Sequence, residues 1–411
     1  MNCSSATPTV KILNANVIVA ALGYFVDIYD LLLFSIVRVA SLKSIGIADS
    51  QLMDQGVFLI NAQMLGMLLG GIVWGVIGDK RGRLSVLFGS ILMYSLANIA
   101  NAFATNVPTY ALLRFIAGVG LAGELGAAIT LVSETMSAET RGYGTAIVAA
   151  VGILGAVAAA VVGEMMSWQS AFIVGGVMGL GLLVLRVSMF ESGLFARSSA
   201  RDDVRRGDLR MLFSSASRFT RYARCVLIGI PVWYIVGILV TFSPELAKAL
   251  GATEPIGAGK AILFAYAGLA VGDLGSGFLS QYLKSRRRVV GGFLALSCVF
   301  IAWYFAFPPR TSAGFYTLCM ALGFGAGYWA VFATVAAEQF GTNLRATVAT
   351  TVPNFVRGAV VPITLAFSWL KAPLGLAGSA IAVGVVTLSI AFAAWAGMSE
   401  TYGIDLDYFE D

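Results

Sequence analysis

Long apolar runs separated by short polar connections extend along almost the whole chain. Most runs are as long as the roughly 20 residues that an α-helix needs to cross the hydrocarbon core of a bilayer. The pattern predicts an all-α membrane protein with twelve transmembrane helices. In chain order, helices 1 to 12 are predicted over residues 14–40, 56–77, 84–104, 108–134, 143–166, 170–189, 223–248, 258–283, 289–308, 312–338, 345–370 and 374–397.

One polar stretch, residues 190–222, is much longer than the other connections and is rich in arginine. It predicts a linker between an N-terminal six-helix half, 1–189, and a C-terminal six-helix half, 223–397. An acidic tail follows at 398–411. A solvated loop is the favoured interpretation of the linker, and an amphipathic helix on anionic lipid headgroups is the alternative.

The composition agrees with a chain that lies mostly in lipid. Of its 411 residues 58% are hydrophobic and 12% charged, and the mean hydropathy is +0.84. The chain has no histidine, which excludes Ser-His-Asp triads, histidine-ligated metals and histidine proton relays. Its four cysteines are far apart, so neither a disulfide framework nor a metal site is predicted.

The distribution of lysine and arginine predicts the topology. If the N-terminus lies inside, the inner connections, the linker and the helix ends beside them hold 18 of these residues, and the outer connections with their adjacent helix ends hold five. The positive-inside rule therefore places both termini in the cytoplasm and the protein in the cell (inner) membrane as a multi-pass protein. The net charge of +5 reports this topology, and no nucleic-acid partner is predicted.

The two halves repeat each other. Glu134 and Arg141 at the end of predicted helix 4 recur as Glu338 and Arg345 at the end of predicted helix 10, 204 positions later. The glycines agree, because those of 118–123 correspond to those of 323–327, and Gly78-Asp79 corresponds to Gly272-Asp273. Two pseudo-symmetric halves of this kind place a substrate near the midplane between them.

Nucleotide motifs do not account for the glycines. The stretch 118–123, GVGLAG, matches a dinucleotide pattern but lies within an apolar helix, where small residues let helices pack closely. The chain also contains no Walker sequence. We therefore predict no cofactor, and the remaining energy sources are an ion gradient or simple equilibration.

The connection after predicted helix 2 reads Gly75-Val-Ile-Gly-Asp-Lys-Arg-Gly-Arg83. It resembles the signature of the major facilitator superfamily, G-x-x-x-D-[RK]-x-G-R. The resemblance covers nearly the whole chain and implies twelve helices that alternate access to a central site. By the same resemblance, the predicted inner gate consists of Gly78, Asp79, Arg83, Glu134, Arg141, Asp273, Arg286, Glu338 and Arg345.

Two further motifs narrow the resemblance. Asp27-Ile-Tyr-Asp30 is similar to the helix 1 motif of aromatic-acid and phosphate:H+ symporters, and the segment from Arg114 to Glu124 is similar to helix 4 of metabolite:H+ symporters. These families imply that Asp27 or Asp30, together with Arg114 and Glu124, forms the coupling and binding cluster. We predict that Asp27, Asp30 and Glu124 carry protons and that Arg114 binds substrate. Because the chain mixes two patterns, neither family's substrate can be assigned to it.

The residues themselves lead to a similar cluster. A charged side chain at the bilayer centre is costly unless it is paired or hydrated, so such residues mark functional pathways. Asp27 and Asp30 share a helix face, and Arg114 could pair with either of them or with an anionic substrate. The alternative is a structural salt-bridge network without turnover.

The C-terminal half offers possible substrate ligands. Arg357 follows Pro353 in predicted helix 11, and binding of an anion and snorkelling to the interface remain equally open for it. A predicted aromatic wall, for which ordinary core packing is the alternative, consists of Trp233, Tyr234, Tyr328 and Trp329.

Together these observations predict a secondary transporter that takes up a small organic anion or zwitterion with protons. It would work in the lipid bilayer as a monomer. A proton-driven exporter or uniporter of a metabolite or siderophore-like compound is one alternative, and a non-transporting receptor or scaffold is another. An enzyme is disfavoured, because no nucleophile and base are found in a suitable context.

The role of Asp30 can be tested directly. Asp30→Asn should abolish uphill uptake, because the amide cannot carry a proton, while substrate exchange or binding remains. Transport assays and gel filtration in detergent check this. Aggregation of the variant would instead support the structural salt-bridge alternative.

Overall fold

The computed structural model describes residues 15–81, 83–124, 126, 141–191 and 212–404. In the N-terminal half the helices are α1 Ala15–Ser44, α2 Leu52–Arg81, α3 Arg83–Asn101, α4 Val107–Leu121, α5 Arg141–Met165 and α6 Trp168–Glu191. They agree with predicted helices 1 to 6 as far as the described residues reach. The helix α4 ends at Leu121, within the glycine stretch, and helical conformation resumes at Glu124; the remainder of predicted helix 4 lies outside the described residues.

The helices of the C-terminal half are more often interrupted. In chain order they are α7a Ala216–Tyr234, a π-helical segment Ile235–Val240, α7b Ser243–Ala249, α8 Ala258–Tyr282, α9 Arg286–Ala306, α10a Ser312–Ala326, α10b Trp329–Glu338, α11a Thr342–Gly358 and a last helical stretch Val360–Ala396. The backbone of the last stretch leaves helical conformation at Gly375, with φ 70° and ψ 179°. This left-handed φ favours glycine, and it divides the stretch into α11b, 360–374, and α12, 376–396.

The described part of the chain holds eight helices that are long and apolar enough to cross a membrane. Three shorter apolar helices are Val86–Asn101, Val107–Leu121 and Val151–Met165, and the longest span, Thr347–Ala396, contains two crossings because of the break at Gly375. The result is the predicted set of twelve spans. An even number of crossings puts the start of α1 and the end of α12 on one face, called here the terminal face.

Glycines set the closest helix crossings, and they do so in the same way in both halves. A Cβ atom on Gly118 of α4 would overlap the Gln63 carbonyl of α2, and one on Gly323 of α10a would overlap the Ala265 carbonyl of α8. Gly120 packs in the same manner on α3, and its counterpart Gly325 packs on α9. The glycine stretch is therefore a packing motif, as predicted, and the pseudo-symmetry extends to individual contacts.

The cost of filling such a crossing can be measured. A Cβ atom on Gly268 of α8 would overlap the Met320 carbonyl, whereas one on Gly275 of the same helix would meet nothing within 4 Å. We expect Gly268→Ala to lower stability by about 1–3 kcal/mol. Gly275→Ala, the matched control, should be neutral or stabilising by up to about 1 kcal/mol. Thermal unfolding in detergent checks both, and equal melting temperatures would contradict the packing role.

Candidate transport site

Four charged side chains meet near the middle of the structure. Asp27 and Asp30 of α1, Arg114 of α4 and Arg357 of α11a are each at most 1% exposed. Burial of an ion in an apolar interior costs several kcal/mol unless a partner compensates it. How each charge is paired therefore decides what this cluster can do.

Asp27 and Arg357 form an ion pair that joins the two halves. The Arg357 Nη2 and Asp27 Oδ2 atoms are 3.4 Å apart, so the contact is long and involves one atom of each side chain. The Nε and Nη1 atoms of Arg357 and the Oδ1 atom of Asp27 have no hydrogen-bond partner among the described residues. Two buried donors of Arg357 are therefore unsatisfied by the part of the chain that the structure describes.

Asp30 faces the interior of the N-terminal half. It lies beside Arg114, and its Oδ1 atom occupies the space left by Gly175 of α6. Arg114 donates from Nη2 to Oδ1 of Asn98 over 3.1 Å, and its guanidinium carbon lies 5.0 Å from the Phe172 ring centroid. Asp27 and Asp30 are one helix turn apart but have different surroundings. Asp27 lies at the interface of the two halves, and Asp30 lies within the N-terminal half.

Aromatic side chains surround the Asp27–Arg357 pair. The Arg357 guanidinium carbon lies 6.0 Å from the centroid of the Trp233 ring, and the buried Trp233 Nε1 has no partner among the described residues. Tyr24 of α1 and Tyr266 of α8 are close to both charged groups. The Asp27–Arg357 pair with Trp233, Tyr24 and Tyr266 is called here the central site.

The four residues of the predicted aromatic wall lie in two different surroundings. Trp233 borders the central site, and the Trp329 indole meets the Tyr24 hydroxyl across the interface of the halves. Tyr234 and Tyr328, however, are fully buried in the C-terminal half. Their hydroxyls donate to the carbonyls of Ala380, at 2.7 Å, and Ile228, at 2.8 Å. The structure thus assigns these two residues to helix packing and not to a wall.

Glu124 forms a second buried ion pair, with Arg186 of α6. Both guanidinium Nη atoms donate to its carboxylate, and the two side chains are at most 6% exposed. Sequence reasoning counted Arg186 among the topology-setting arginines of the inner side, although it lies within the apolar run of helix 6. A charge within such a run was the signal that could have revealed it. Proton carriage by Glu124 remains a prediction.

Asn354 is a further residue that sequence reasoning missed. It lies one helical turn before Arg357, and its Nδ2 atom donates over 2.9 Å to the carbonyl of Ala122, at the end of α4 in the other half. Its Oδ1 atom is buried without a partner among the described residues. An amide within an apolar helix carries no charge to mark it, so only the tertiary contact identifies it.

At the face opposite the termini, two ion pairs join the halves. Arg38 of α1 is fully buried, and its Nη2 atom lies 2.6 Å from Glu245 Oε1 of α7b. Lys371 Nζ of α11b lies 2.5 Å from Asp54 Oδ1 of α2, in a more exposed position. The structure is therefore closed at this face by contacts between the halves.

Two residues of the predicted inner gate, Arg286 and Glu338, meet at the terminal face. Arg286 Nη2 of α9 lies 3.4 Å from Glu338 Oε1 of α10b, and Thr401 Oγ1, beyond α12, donates to Glu338 Oε2 over 2.7 Å. Glu400 accepts hydrogen bonds from Ser285 and from backbone amides. Burial raises the pKa of Glu400, but these hydrogen bonds outweigh burial and hold it below its usual range.

Asp273 does not belong with this cluster. It lies in the middle of α8, not at its end, and accepts a hydrogen bond from the Ala330 amide at the start of α10b. Among the described contacts, Asp273 therefore does not share a partner with Arg286, although both were predicted as inner-gate residues; Arg286 lies beside Glu338 instead. Of the remaining predicted gate positions, Glu134 lies outside the described residues. The structure describes only the backbone at the other five, Gly78, Asp79, Arg83, Arg141 and Arg345.

Comparison with known proteins connects this arrangement to a family. A sequence profile described as the Major Facilitator Superfamily matches residues 20–360. The chain belongs to the major facilitator superfamily. The predicted superfamily, fold class and transport role, as opposed to an enzymatic one, are thereby confirmed.

Relatives and solved structures extend this superfamily assignment over nearly the whole chain. The 3-(3-hydroxy-phenyl)propionate transporter of Escherichia coli is 30% identical over 376 residues, which is 88% of this chain and 87% of the relative. A niacin transporter of Acinetobacter baylyi is 25% identical and covers 80% of each chain. The crystal structure of a D-xylose-proton symporter has the same fold, with TM-score 0.68, 18% identity and coverage of 95% and 99%.

The two ion pairs at the opposite face should contribute unequally to its closure. Glu245→Gln leaves the fully buried Arg38 charge without its counterion, and we expect it to weaken the closed state by about 1–3 kcal/mol. Asp54→Asn removes a partly exposed pair and should cost less than about 1 kcal/mol. Thiol labelling of Ser243→Cys, in a variant without the natural cysteines, should accelerate strongly only with Glu245→Gln. Equal labelling rates in both variants would contradict the role of the Arg38 pair.

Proposed function

We propose that this protein takes up an aromatic monocarboxylate together with protons, by alternating access across the inner membrane. The observation that carries the proposal is the central site, where two buried donors of Arg357 have no partner among the described residues and lie beside aromatic side chains. In this proposal both termini, and with them the terminal face, lie in the cytoplasm. The protein works as a monomer.

The chemistry of the central site selects the substrate class. A guanidinium with two free N–H groups can bind a carboxylate through both of its oxygens. Trp233, Tyr24 and Tyr266 offer flat apolar surfaces and hydroxyl groups against which an aromatic ring can pack. Two relatives transport 3-(3-hydroxy-phenyl)propionate and niacin, both of which are aromatic carboxylates. These names and the geometry support the same class of substrate.

Competition for Arg357 couples the proton to the substrate. When a substrate carboxylate takes the guanidinium, Asp27 loses its counterion while it remains buried. An unpaired buried carboxylate is costly, so Asp27 becomes neutral by accepting a proton. The substrate therefore binds with a proton, and its release returns Arg357 to ionised Asp27. Asp30, which lies beside Arg114, provides a second carboxylate that can accept and release a proton.

Rocking of the halves changes the side from which the central site is reached. The Arg38–Glu245 and Lys371–Asp54 contacts must break for the opposite face to open. For the terminal face to open, Asn354 must separate from the Ala122 carbonyl. Each of these contacts joins the two halves. The contacts at one face therefore form or break together when the halves move.

The proposal is tested with proteoliposomes that contain a pH-sensitive dye. Nicotinate and 3-(3-hydroxyphenyl)propionate should acidify the interior, whereas neutral nicotinamide should not, because it lacks the carboxylate that Arg357 binds. Arg357→Lys should raise KM about tenfold or more, since an ammonium lacks the second donor of the fork. Asp27→Asn should abolish proton flux and retain exchange of labelled substrate.

Asp49→Asn serves as the matched control, because this aspartate is exposed at the surface and its ion pair among the described residues is with Lys43. It should transport as the unchanged protein does. Uptake of nicotinamide as fast as nicotinate, or proton flux in Asp27→Asn, would refute the mechanism. Flux only when the gradient is reversed would identify an exporter.

A further inference from the structure

Helix α10 is broken at membrane depth. Between α10a and α10b the backbone departs from helical geometry at Gly327, with ψ 48°, and at Tyr328, with φ −117° and ψ 15°. A break leaves the first N–H groups of the following helix without intrahelical acceptors. In an apolar environment each unsatisfied group costs several kcal/mol, so the start of α10b needs acceptors from elsewhere.

Asp273 of α8 supplies those acceptors. Its Oδ1 atom accepts from the Ala330 amide over 3.0 Å, and its carboxylate also accepts from the amide of Trp329. The carboxylate reaches the break because Gly272 and Gly327 are in backbone contact, closer than any side chain would permit. Asp273 thus acts as an N-cap that is supplied by a neighbouring helix.

The capped end of α10b carries Trp329, which faces the central site. Its indole meets the Tyr24 hydroxyl of the other half, and Tyr24 lies beside Asp27 and Arg357. The Trp329 ring also packs on Phe332 of its own helix, with ring centroids 5.0 Å apart. The position of this indole therefore depends on how the first turn of α10b is held.

We propose that Asp273 is a positioning residue for substrate binding. By capping α10b it holds Trp329 against Tyr24, and this aromatic pair closes one side of the central site around the substrate ring. The inference rests on the proposed function, since it takes an aromatic carboxylate as the occupant. What the site requires from Asp273 is its acceptor oxygen and not its charge, so asparagine should replace it and alanine should not.

The cap itself is tested without substrate, by hydrogen exchange of the backbone amides of residues 328–331 in the purified full-length protein. Asp273→Ala should accelerate exchange in this segment by about fivefold or more, because the Trp329 and Ala330 amides lose their acceptor. Asp273→Asn should stay close to the unchanged protein. Unchanged exchange in Asp273→Ala, or equal acceleration in both variants, would overturn the assignment of the cap.

The consequence for binding is tested by a double-mutant cycle on nicotinate uptake. Asp273→Ala and Trp329→Ala should each raise KM about fivefold or more, with a smaller effect on kcat, and the double variant should not exceed the larger single effect. Asp273→Asn should restore the KM of the unchanged protein. Multiplicative effects in the double variant, or an Asp273→Asn variant as poor as Asp273→Ala, would refute the positioning role.

The two tests also separate this inference from the proposed function. If the unchanged protein moves no aromatic carboxylate, the proposed function fails, and hydrogen exchange alone still decides whether Asp273 caps α10b. If uptake is found and the exchange of residues 328–331 is indifferent to Asp273→Ala, the proposed function stands and this inference fails.

Discussion

The ion pair between Asp27 and Arg357 is the constraint around which the structure is organised. Its two charges come from different halves, are both buried, and meet through a single contact of 3.4 Å. Neither charge is tolerable alone in an apolar interior, so the halves must either stay together or exchange these partners for others. A substrate anion has the charge to replace Asp27 beside Arg357, and a proton has the charge to neutralise Asp27.

The two halves contribute differently to this arrangement. The N-terminal half supplies most of the buried charge, with Asp27, Asp30, Arg114 and the Glu124–Arg186 pair. The C-terminal half supplies interrupted helices, at the π-helical segment of α7 and at the break in α10, together with aromatic side chains. Interruptions free backbone groups that need specific partners, and Asp273 is one of them. Most of these buried charges thus lie in the N-terminal half, and Arg357 of the C-terminal half meets them at the interface of the halves.

Prediction from the sequence succeeded where one physical signal acts over many residues. Apolar length predicted the twelve spans, and the glycine repeat correctly predicted where helices approach each other. It was less successful for single side chains inside those spans. Tyr234 and Tyr328 are aromatic like their neighbours Trp233 and Trp329 and lie in the same predicted helices. Their side chains nevertheless pack within their own half. Direction around a helix depends on neighbours that the sequence does not display.

The sequence by itself determined the membrane class, the two-half organisation and the set of charges that burial makes costly, because these follow from local composition and spacing. Only the tertiary structure decided the partners. It paired Asp27 with Arg357, Glu124 with Arg186 and Asp273 with the start of α10b, over separations of 330, 62 and 57 residues. An ion pair or a cap acts over about 3 Å, and only the folded chain brings such distant residues within that range.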